Sequence, residues 1–253
     1  MLNIRQLNKD ELPLLINALE KESWHVEITH INCLYANFFK GFFVAYDDDI
    51  IVGFISAIKY SGNFGLISNF VVLKEFRSCG FGKKLFNHAL SYLDGCQIVI
   101  ESSIEDEYIY VKKGFKSYYD TTCYRFKITK QSDSTNNFDI KNTLEKKEIS
   151  DEYSIYLNCV ATDKETIVRA IYNDNNLSSY GLCTQHGDGY KVVISSKDKD
   201  EALAIFFSLI KKFELSTKIY MEVTKLDTTL INIVNLFKMK EYSRKRKMYN
   251  KVL

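Results

Sequence analysis

The sequence predicts a mixed α/β protein made of two similar halves. Three observations carry that expectation. Short β-rich apolar runs alternate with segments of helical period along the whole chain. The polar, turn-rich stretch Lys130–Asn137 (KQSDSTNN) interrupts the pattern near the middle. The elements on its two sides then follow a similar course, an approximate repeat at about half the chain length. The expected division is a first domain over 1–130 and a second over 138–253.

In the first half, Asn3–Leu7 alternates as a strand. Lys9–Glu22 places Leu12, Leu15, Ile16 and Leu19 at helical spacing, with Asn8 as its cap. Trp24–Phe39 is aromatic and irregular. Phe42–Tyr46 and Ile50–Tyr60 flank the polar Asp47-Asp48-Asp49 and read as a hairpin. Leu66–Leu73 is the next strand, Gly82–Leu93 a helix, and Gln97–Ser102 a buried strand. Glu105–Lys113 is a short helix stopped by Gly114, and Ser117–Ile128 closes the half as a strand or hairpin. The second half is read as a helix over Asp163–Tyr172 capped by Thr162 or Asp163. A hairpin follows, Ser179–Gln185 with Gly189–Ser195, then a helix Asp200–Phe213 and a strand Lys218–Val223. A helix Thr228–Phe237 and a strand Ser243–Tyr249 complete it; Lys147–Ala161 is left unassigned.

The bulk composition narrows the functional classes. Hydrophobic residues make up 46% of the 253 residues and charged residues 26%, the balance of a globular protein. A net charge of +2 gives no reason to expect nucleic acid as a partner. The basic run Arg244-Lys245-Arg246-Lys247 alternates on an expected strand and reads as a solvated face. The six cysteines form no C-x-x-C pair, and their spacing suits neither zinc nor a disulfide scaffold, so most are expected to be buried thiols. The four histidines lack ligand-like spacing, and His88 is expected at the surface. No metal site is expected. The N-terminus MLNIRQLNKDEL does not have the pattern of a signal peptide. No apolar run approaches the ~18 residues of a membrane span. A cytoplasmic protein without membrane partners is the expectation.

The most informative stretch is LISNFVVLKEFRSCGFGKKLF, residues 66–86. An apolar strand ends in Arg77-Ser78-Cys79-Gly80-Phe81-Gly82, and an amphipathic helix follows at once. Such a turn leaves a row of unpaired N–H groups at a helix start, where the helix dipole adds positive potential, and so attracts anions. The spacing R-x-x-G-x-G is neither the P-loop nor the dinucleotide fingerprint.

With this turn, the strand before it and the downstream Y-x-x-x-G-F, the first half resembles the GNAT superfamily of acyl-CoA N-acetyltransferases. More narrowly, Trp24, FGLISNFVV, EFRSCGFG and EYIYVKKGF resemble the tandem type, in which a working GNAT domain precedes a degenerate GNAT-like copy. The resemblance implies acetyl-CoA as co-substrate, with its pyrophosphate on the amides of Ser78, Cys79, Gly80, Phe81, Gly82 and Lys83 after Arg77. It implies a pantetheine-binding strand at Phe70, Val71 and Val72, the Val72 amide polarising the thioester carbonyl. Tyr110 is placed as the acid that protonates the departing thiolate, with Tyr108 as the competing tyrosine. Glu101 is the candidate general base. Trp24, Glu27 and Asn69 are candidates for the acceptor side. The acceptor is a small-molecule or peptide amine, and a homodimer is among the open oligomeric states. The segment Ser196-Lys197-Asp198-Lys199-Asp200 stands where a second phosphate turn would be, yet it lacks the glycines and carries two acids. The second half is therefore not expected to bind acetyl-CoA. The alternative to an enzyme is a CoA-binding sensor or scaffold without turnover.

Overall fold

A computed structural model describes residues 2–22, 24–60, 63–129, 138–144 and 152–250. The linker expected at Lys130–Asn137 lies outside them. Contacts group the chain into two units, Met1–Tyr118 with Arg246–Leu253, and Tyr119–Lys245. This grouping differs from a cut at the linker. Each unit is described in turn.

The first unit runs β1 (Leu2–Gln6), α1 (Leu12–Lys21), α2 (Ile28–Phe38), β2 (Phe42–Asp47), β3 (Ile50–Tyr60), β4 (Phe64–Val72), α3 (Phe81–Tyr92), β5 (Gln97–Ser103), α4 (Glu107–Val111) and the start of β6 (Lys116–Lys127). Its strands lie in the order β1-β2-β3-β4-β5, with the end of the C-terminal strand β12 (Lys240–Tyr249) beyond β5. Pairing is antiparallel except between β4 and β5. At the far edge, the Asn250 amide donates to Ile98 O (3.1 Å), and the Ile98 amide donates to Asn250 Oδ1 (2.7 Å).

Both sheet faces are covered, which is why Val52–Ile58 of β3 is buried without interruption. On one face Phe43, Ala45, Ile55, Ile67, Ile98 and Ile100 pack with Leu85, Phe86, Ala89 and Leu93 of α3, and Met248 joins them. On the other, Tyr35 of α2 lies edge-on to Phe42 at 5.3 Å and donates its hydroxyl to Leu7 O at 3.0 Å. Helix α2 corrects the irregular reading of Trp24–Phe39. Ile31 and Leu34 supply a buried stripe at i, i+3, and the surrounding aromatics hide that period. His88, expected at the surface, is half-buried; its ring meets Phe43 at 4.5 Å and burial lowers its pKa.

The second unit contains the rest of β6, then β7 (Ile140–Lys141), α5 (Glu152–Thr162), β8 (Ile167–Asn173), β9 (Asn176–His186), β10 (Gly189–Ser195), α6 (Lys199–Ile210), β11 (Lys218–Thr224), α7 (Thr228–Leu236) and the start of β12. Its order is β6-β11-β10-β9-β8-β7, and β10–β11 is its parallel pair. Helices α6 and α7 cover one face through Ile205, Phe206, Leu209, Ile233 and Val234. The helix expected over Asp163–Tyr172 is a misreading. Thr162 ends α5, its hydroxyl donating back to Asn158 O at 2.8 Å, and Ile167–Asn173 pairs with β9 as a strand. The β-branched Ile167, Val168 and Ile171 suit that pleated surface. Cys96, Cys123 and Cys183 are buried thiols and Cys79 is exposed.

One polar cluster fastens the start of the first unit. Arg5 donates to Glu11 at 2.8 and 2.6 Å, the Tyr46 hydroxyl donates to the same carboxylate at 2.6 Å, and the Asn8 amide donates at 2.9 Å. The Arg5 hydrogen bond leads in holding the Glu11 pKa down to about 2, against an ordinary 4.5. A depressed carboxylate stabilises the fold above its unfolded pKa, and that contribution is lost as pH falls through the folded value. Glu11→Gln is expected to lower the unfolding free energy at neutral pH, and the gap to wild type should narrow from about pH 5 to about pH 2. Denaturant titrations across that range check it; a gap independent of pH would refute the assignment.

Candidate active site

Strands β4 and β5 pair from Phe64↔Gln97 to Ile67↔Ile100, and the register ends there. Beyond that point they part. The cause lies in β4. On its other side, register with β3 jumps from Ser56↔Ser68 to Phe54↔Val71, so Asn69 and Phe70 form a bulge. Asn69 takes the left-handed conformation (φ +49°), which asparagine tolerates better than most residues. Its amide donates to Ser56 Oγ at 3.0 Å, and Ser56 bonds the Ser68 carbonyl at 3.0 Å. The bulge is thus pinned from β3, and the β5-facing backbone of Ser68–Val72 lies past the last register pair.

The parted strand leads through a single helical turn, Lys74–Phe76, into the glycine turn. Ser78 and Gly80 both have positive φ (+65° and +81°), a concave arrangement that turns successive amides toward one point. Helix α3 begins at Phe81, and the Lys84 amide bonds Gly80 O at 3.3 Å. The amides of Phe81, Gly82 and Lys83 therefore precede the helical ladder and face out of its positive end. The two glycines serve different needs. A Cβ on Gly80 would meet nothing within 4 Å, so glycine is there for its φ. A Cβ on Gly82 would come 3.3 Å from Val72 Cγ2 and 3.5 Å from Phe70 Cζ, so glycine is there for close approach of helix to strand. These residues fit an anionic diphosphate: donors converge, and no side chain fills the space over Gly80.

Arg77 has a different part from the one the motif suggests. Its Nε donates to Val72 O at 3.0 Å, and its Nη2 meets Glu22 Oε1 at 2.6 Å. The guanidinium holds the turn against β4 and the end of α1. The nearby cation that the sequence reading missed is Lys113. Its ammonium lies 4.5 Å over the Phe86 ring, and burial, then the charge of Lys83, lower its pKa. The sequence offers no local signal for it, because Lys113 and Lys83 are thirty residues apart.

Helix α4 separates the two tyrosines. Tyr108 is 59% exposed, whereas Tyr110 is partly buried with its ring 5.8 Å from Phe86 and 6.4 Å from Phe115. Burial, with a smaller push from the Asp106 charge, raises the Tyr110 hydroxyl to about 12. Tyr110 thus keeps its proton at neutral pH. The start of α4 is tied to β5, since Ser103 Oγ donates to Asp106 Oδ2 at 2.8 Å. Glu101 is exposed at the parted end of β5, with Lys247 Nζ 3.6 Å from its carboxylate. Ile98 and Ile100 face the α3 core, so strand alternation sends Glu101 to the opposite face. Trp24 is 51% exposed between α1 and α2, which excludes a core role. Glu27 precedes α2, and its carbonyl accepts from the Ile31 amide at 3.0 Å.

The second unit repeats the parting but not the turn. Strands β10 and β11 pair from Gly189↔Lys218 to Lys191↔Tyr220, and the register again stops early. The start of α6, however, is occupied by its own side chain. Asp198 accepts from the amides of Asp200 and Glu201 at 2.8 and 2.9 Å. A resident carboxylate stands where an external anion would bind. Among the described residues, no group of three or more His, Cys, Asp or Glu is arranged to hold a metal, and no helix is long and apolar enough to cross a membrane.

The first unit thus joins a parted parallel strand pair to a glycine turn and a bare helix start, and known proteins share its fold. Residues 15–131 match the family model of the acetyltransferase (GNAT) domain. A proposed acetyltransferase from Pyrococcus horikoshii superposes with TM-score 0.78 at 15% identity, over 100% of this chain and 90% of its own. A tandem GNAT protein from the clavulanic acid biosynthesis pathway gives 0.69 at 11% identity, over 98% of each chain. A GCN5-related N-acetyltransferase from Sphaerobacter thermophilus gives 0.66 at 9%, over 98% and 95%. No curated protein sequence matches the chain. Residues 15–131 therefore belong to the GNAT acetyltransferase family, and the chain has the fold of a tandem GNAT protein.

The comparison of the two helix starts yields a test. Asp198→Ala strips the acceptor from two amides of α6 and is expected to lower unfolding free energy by ~1 kcal/mol. Denaturant unfolding reads it, and unchanged stability would refute the capping role.

Proposed function

We propose that the first unit transfers an acetyl group from acetyl-CoA to an amine by direct attack within a ternary complex. One observation carries this reading: the parting of β4 from β5 opens onto the bare start of α3. That juxtaposition offers unpaired strand backbone for an extended pantetheine arm and, at its end, converging amides for a diphosphate. The amides of Ser78 through Lys83 would hold the pyrophosphate. Lys83 and Lys113 add positive charge, and Arg77 keeps the turn in shape. The backbone of Phe70, Val71 and Val72 would hold the arm, with the Val72 amide as the donor to the acyl oxygen.

Acetyl-CoA, when bound, supplies an activated thioester. This chain's residues supply positioning and proton transfer. Glu101 takes the proton of the acceptor ammonium, directly or through one water. Tyr110 holds the proton that the departing sulfur requires. A phenol raised to about 12 is a weaker acid than an ordinary thiol, so transfer needs a sulfur whose own basicity is raised. The apolar neighbours that raise Tyr110, Phe86 and Phe115, raise a thiolate in the same surroundings too. Trp24 and Glu27 line the acceptor side. The acceptor class is a small-molecule or peptide amine, and the reaction belongs to the cytoplasm, where acetyl-CoA is supplied. The second unit, with Asp198 on its helix start, binds no acetyl-CoA.

Calorimetric titration with acetyl-CoA is expected to give one site per chain, and Gly80→Asp and Gly82→Asp are each expected to abolish it. Tyr110→Phe should reduce turnover by ~10²-fold or more with affinity retained. Two sites, or unchanged affinity in the glycine variants, would refute the site. Binding without thiol release against an amine panel would instead support the sensor or scaffold reading.

A further inference from the structure

The basic run Arg244-Lys245-Arg246-Lys247, expected as a solvated face, is also laced with ion pairs. Each cation has a glutamate. Arg244 meets Glu241 at 2.6 Å and Lys245 meets Glu222 at 2.7 Å within the second unit. Arg246 and Lys247 belong to the first unit, and their partners are informative. Arg246 Nη1 bonds Glu107 Oε2, the first residue of α4, which carries Tyr110 three positions on. Ser117 Oγ donates to the other oxygen of the same carboxylate. Lys247 Nζ stands 3.6 Å from Glu101. The two adjacent residues thus reach, from opposite faces of one strand, the helix of the candidate acid and the candidate base itself. Their strand is fixed in place by Met248, fully buried in the α3 core, and by the paired Asn250–Ile98 hydrogen bonds.

Helix α4 needs such a tether. It has five residues, too few to be stable alone, and contributes no fully buried side chain. Arg246 and Glu107 are each only 25% exposed at the side chain, so their ion pair is less screened than a surface pair. Removal of the guanidinium takes from Glu107 a charged partner that the Ser117 hydroxyl does not replace, and so loosens the hold on α4 and Tyr110.

We propose that Arg246 and Lys247, on the C-terminal strand, are positioning residues for acyl transfer: Arg246 sets Tyr110 through Glu107, and Lys247 sets Glu101. This rests on the acyl-transfer reading of the same site. Neither residue touches the reacting atoms.

The test uses the full chain, with acetyl-CoA and whichever amine the wild type turns over. In Arg246→Met, kcat is expected to fall about tenfold, since small misplacements of a proton-transfer group are costly. KM for acetyl-CoA should stay within about twofold, because the glycine turn is untouched. Arg246→Lys should recover part of the rate. Glu107→Gln should reproduce the loss, and the Glu107→Gln/Arg246→Met pair should be no slower than Arg246→Met, as expected for one shared path. Lys247→Met should lower kcat with the same unmoved KM. Wild-type kcat in Arg246→Met and Lys247→Met would overturn the proposal. So would joint loss of kcat, acetyl-CoA affinity and melting temperature, the mark of a merely structural role. Amide exchange over residues 107–111 gives a readout independent of turnover: it should quicken in Arg246→Met, and unchanged protection would overturn the tether. If the wild type acetylates no amine, the acyl-transfer reading fails, while exchange still decides whether Arg246 holds α4.

Discussion

The bulge at Asn69 is the constraint on which the site depends. Two residues of β4 stand against one of β3, and the strand bends away from β5 after Ile67↔Ile100. A regular ladder at this point would consume every backbone donor and acceptor of β4. The bend leaves them for something else. It also lifts Phe70 and Val72 beneath the first turn of α3, so that a Cβ on Gly82 would press to 3.3 Å from Val72 Cγ2. Arg77 closes the arrangement by returning its Nε to the Val72 carbonyl. One local irregularity thus shapes strand, turn and helix start together, and the hydrogen bonds of Ser56 and Asn69 hold it.

The two halves share an architecture and differ at the start of one helix. Both have a parallel strand pair whose register stops early, and both follow with a twelve-residue helix. The difference lies in the turn and shows most clearly at the helix cap. Gly80 leaves the positive end of α3 bare, whereas the carboxylate of Asp198 satisfies the end of α6 from within. An internal cap at this distance competes with an external anion at the highest effective concentration the chain can supply. The second half keeps the architecture, and its polar groups serve the fold. Glu201 illustrates this: burial opposes its charge, yet hydrogen bonds from Ser179, Ser178 and Asn173 bring its pKa down.

Charge in the first unit is arranged by sign around the parted strands. The start of α3 carries Lys83 and Lys84, with Lys113 near enough to feel Lys83. The carboxylate of Glu101 lies at the far end of β5 with Lys247 beside it. Tyr110 sits among Phe86 and Phe115, where a phenolate is disfavoured and a proton is retained. An anionic cofactor and a cationic acceptor would be drawn to different ends of such a cleft.

Much of this is written locally in the chain. The hairpin over Phe42–Tyr60, the strand Gln97–Ser103, the stop at Gly114 and the glycine turn all follow from period, propensity and turn chemistry within a dozen residues. The choice between Tyr108 and Tyr110 did not, since both lie on one short helix and only packing against Phe86 buries one of them. Residues 163–172 misled because the β-branched run Ile167–Ile171 becomes a strand only through its pairing with β9. The role of Arg77 and the partners of Arg246 and Lys247 were out of reach for the same reason. Glu22 lies on the far side of the hairpin from Arg77, Glu107 is 139 residues from Arg246, and Asn250 is 152 residues from Ile98. The sequence by itself determined most of the strands and helices and where an anion could be held, because those properties depend largely on neighbours along the chain. Tertiary structure decided which charges meet, which tyrosine is buried and which residues touch α4, because those depend on contacts that no local period encodes.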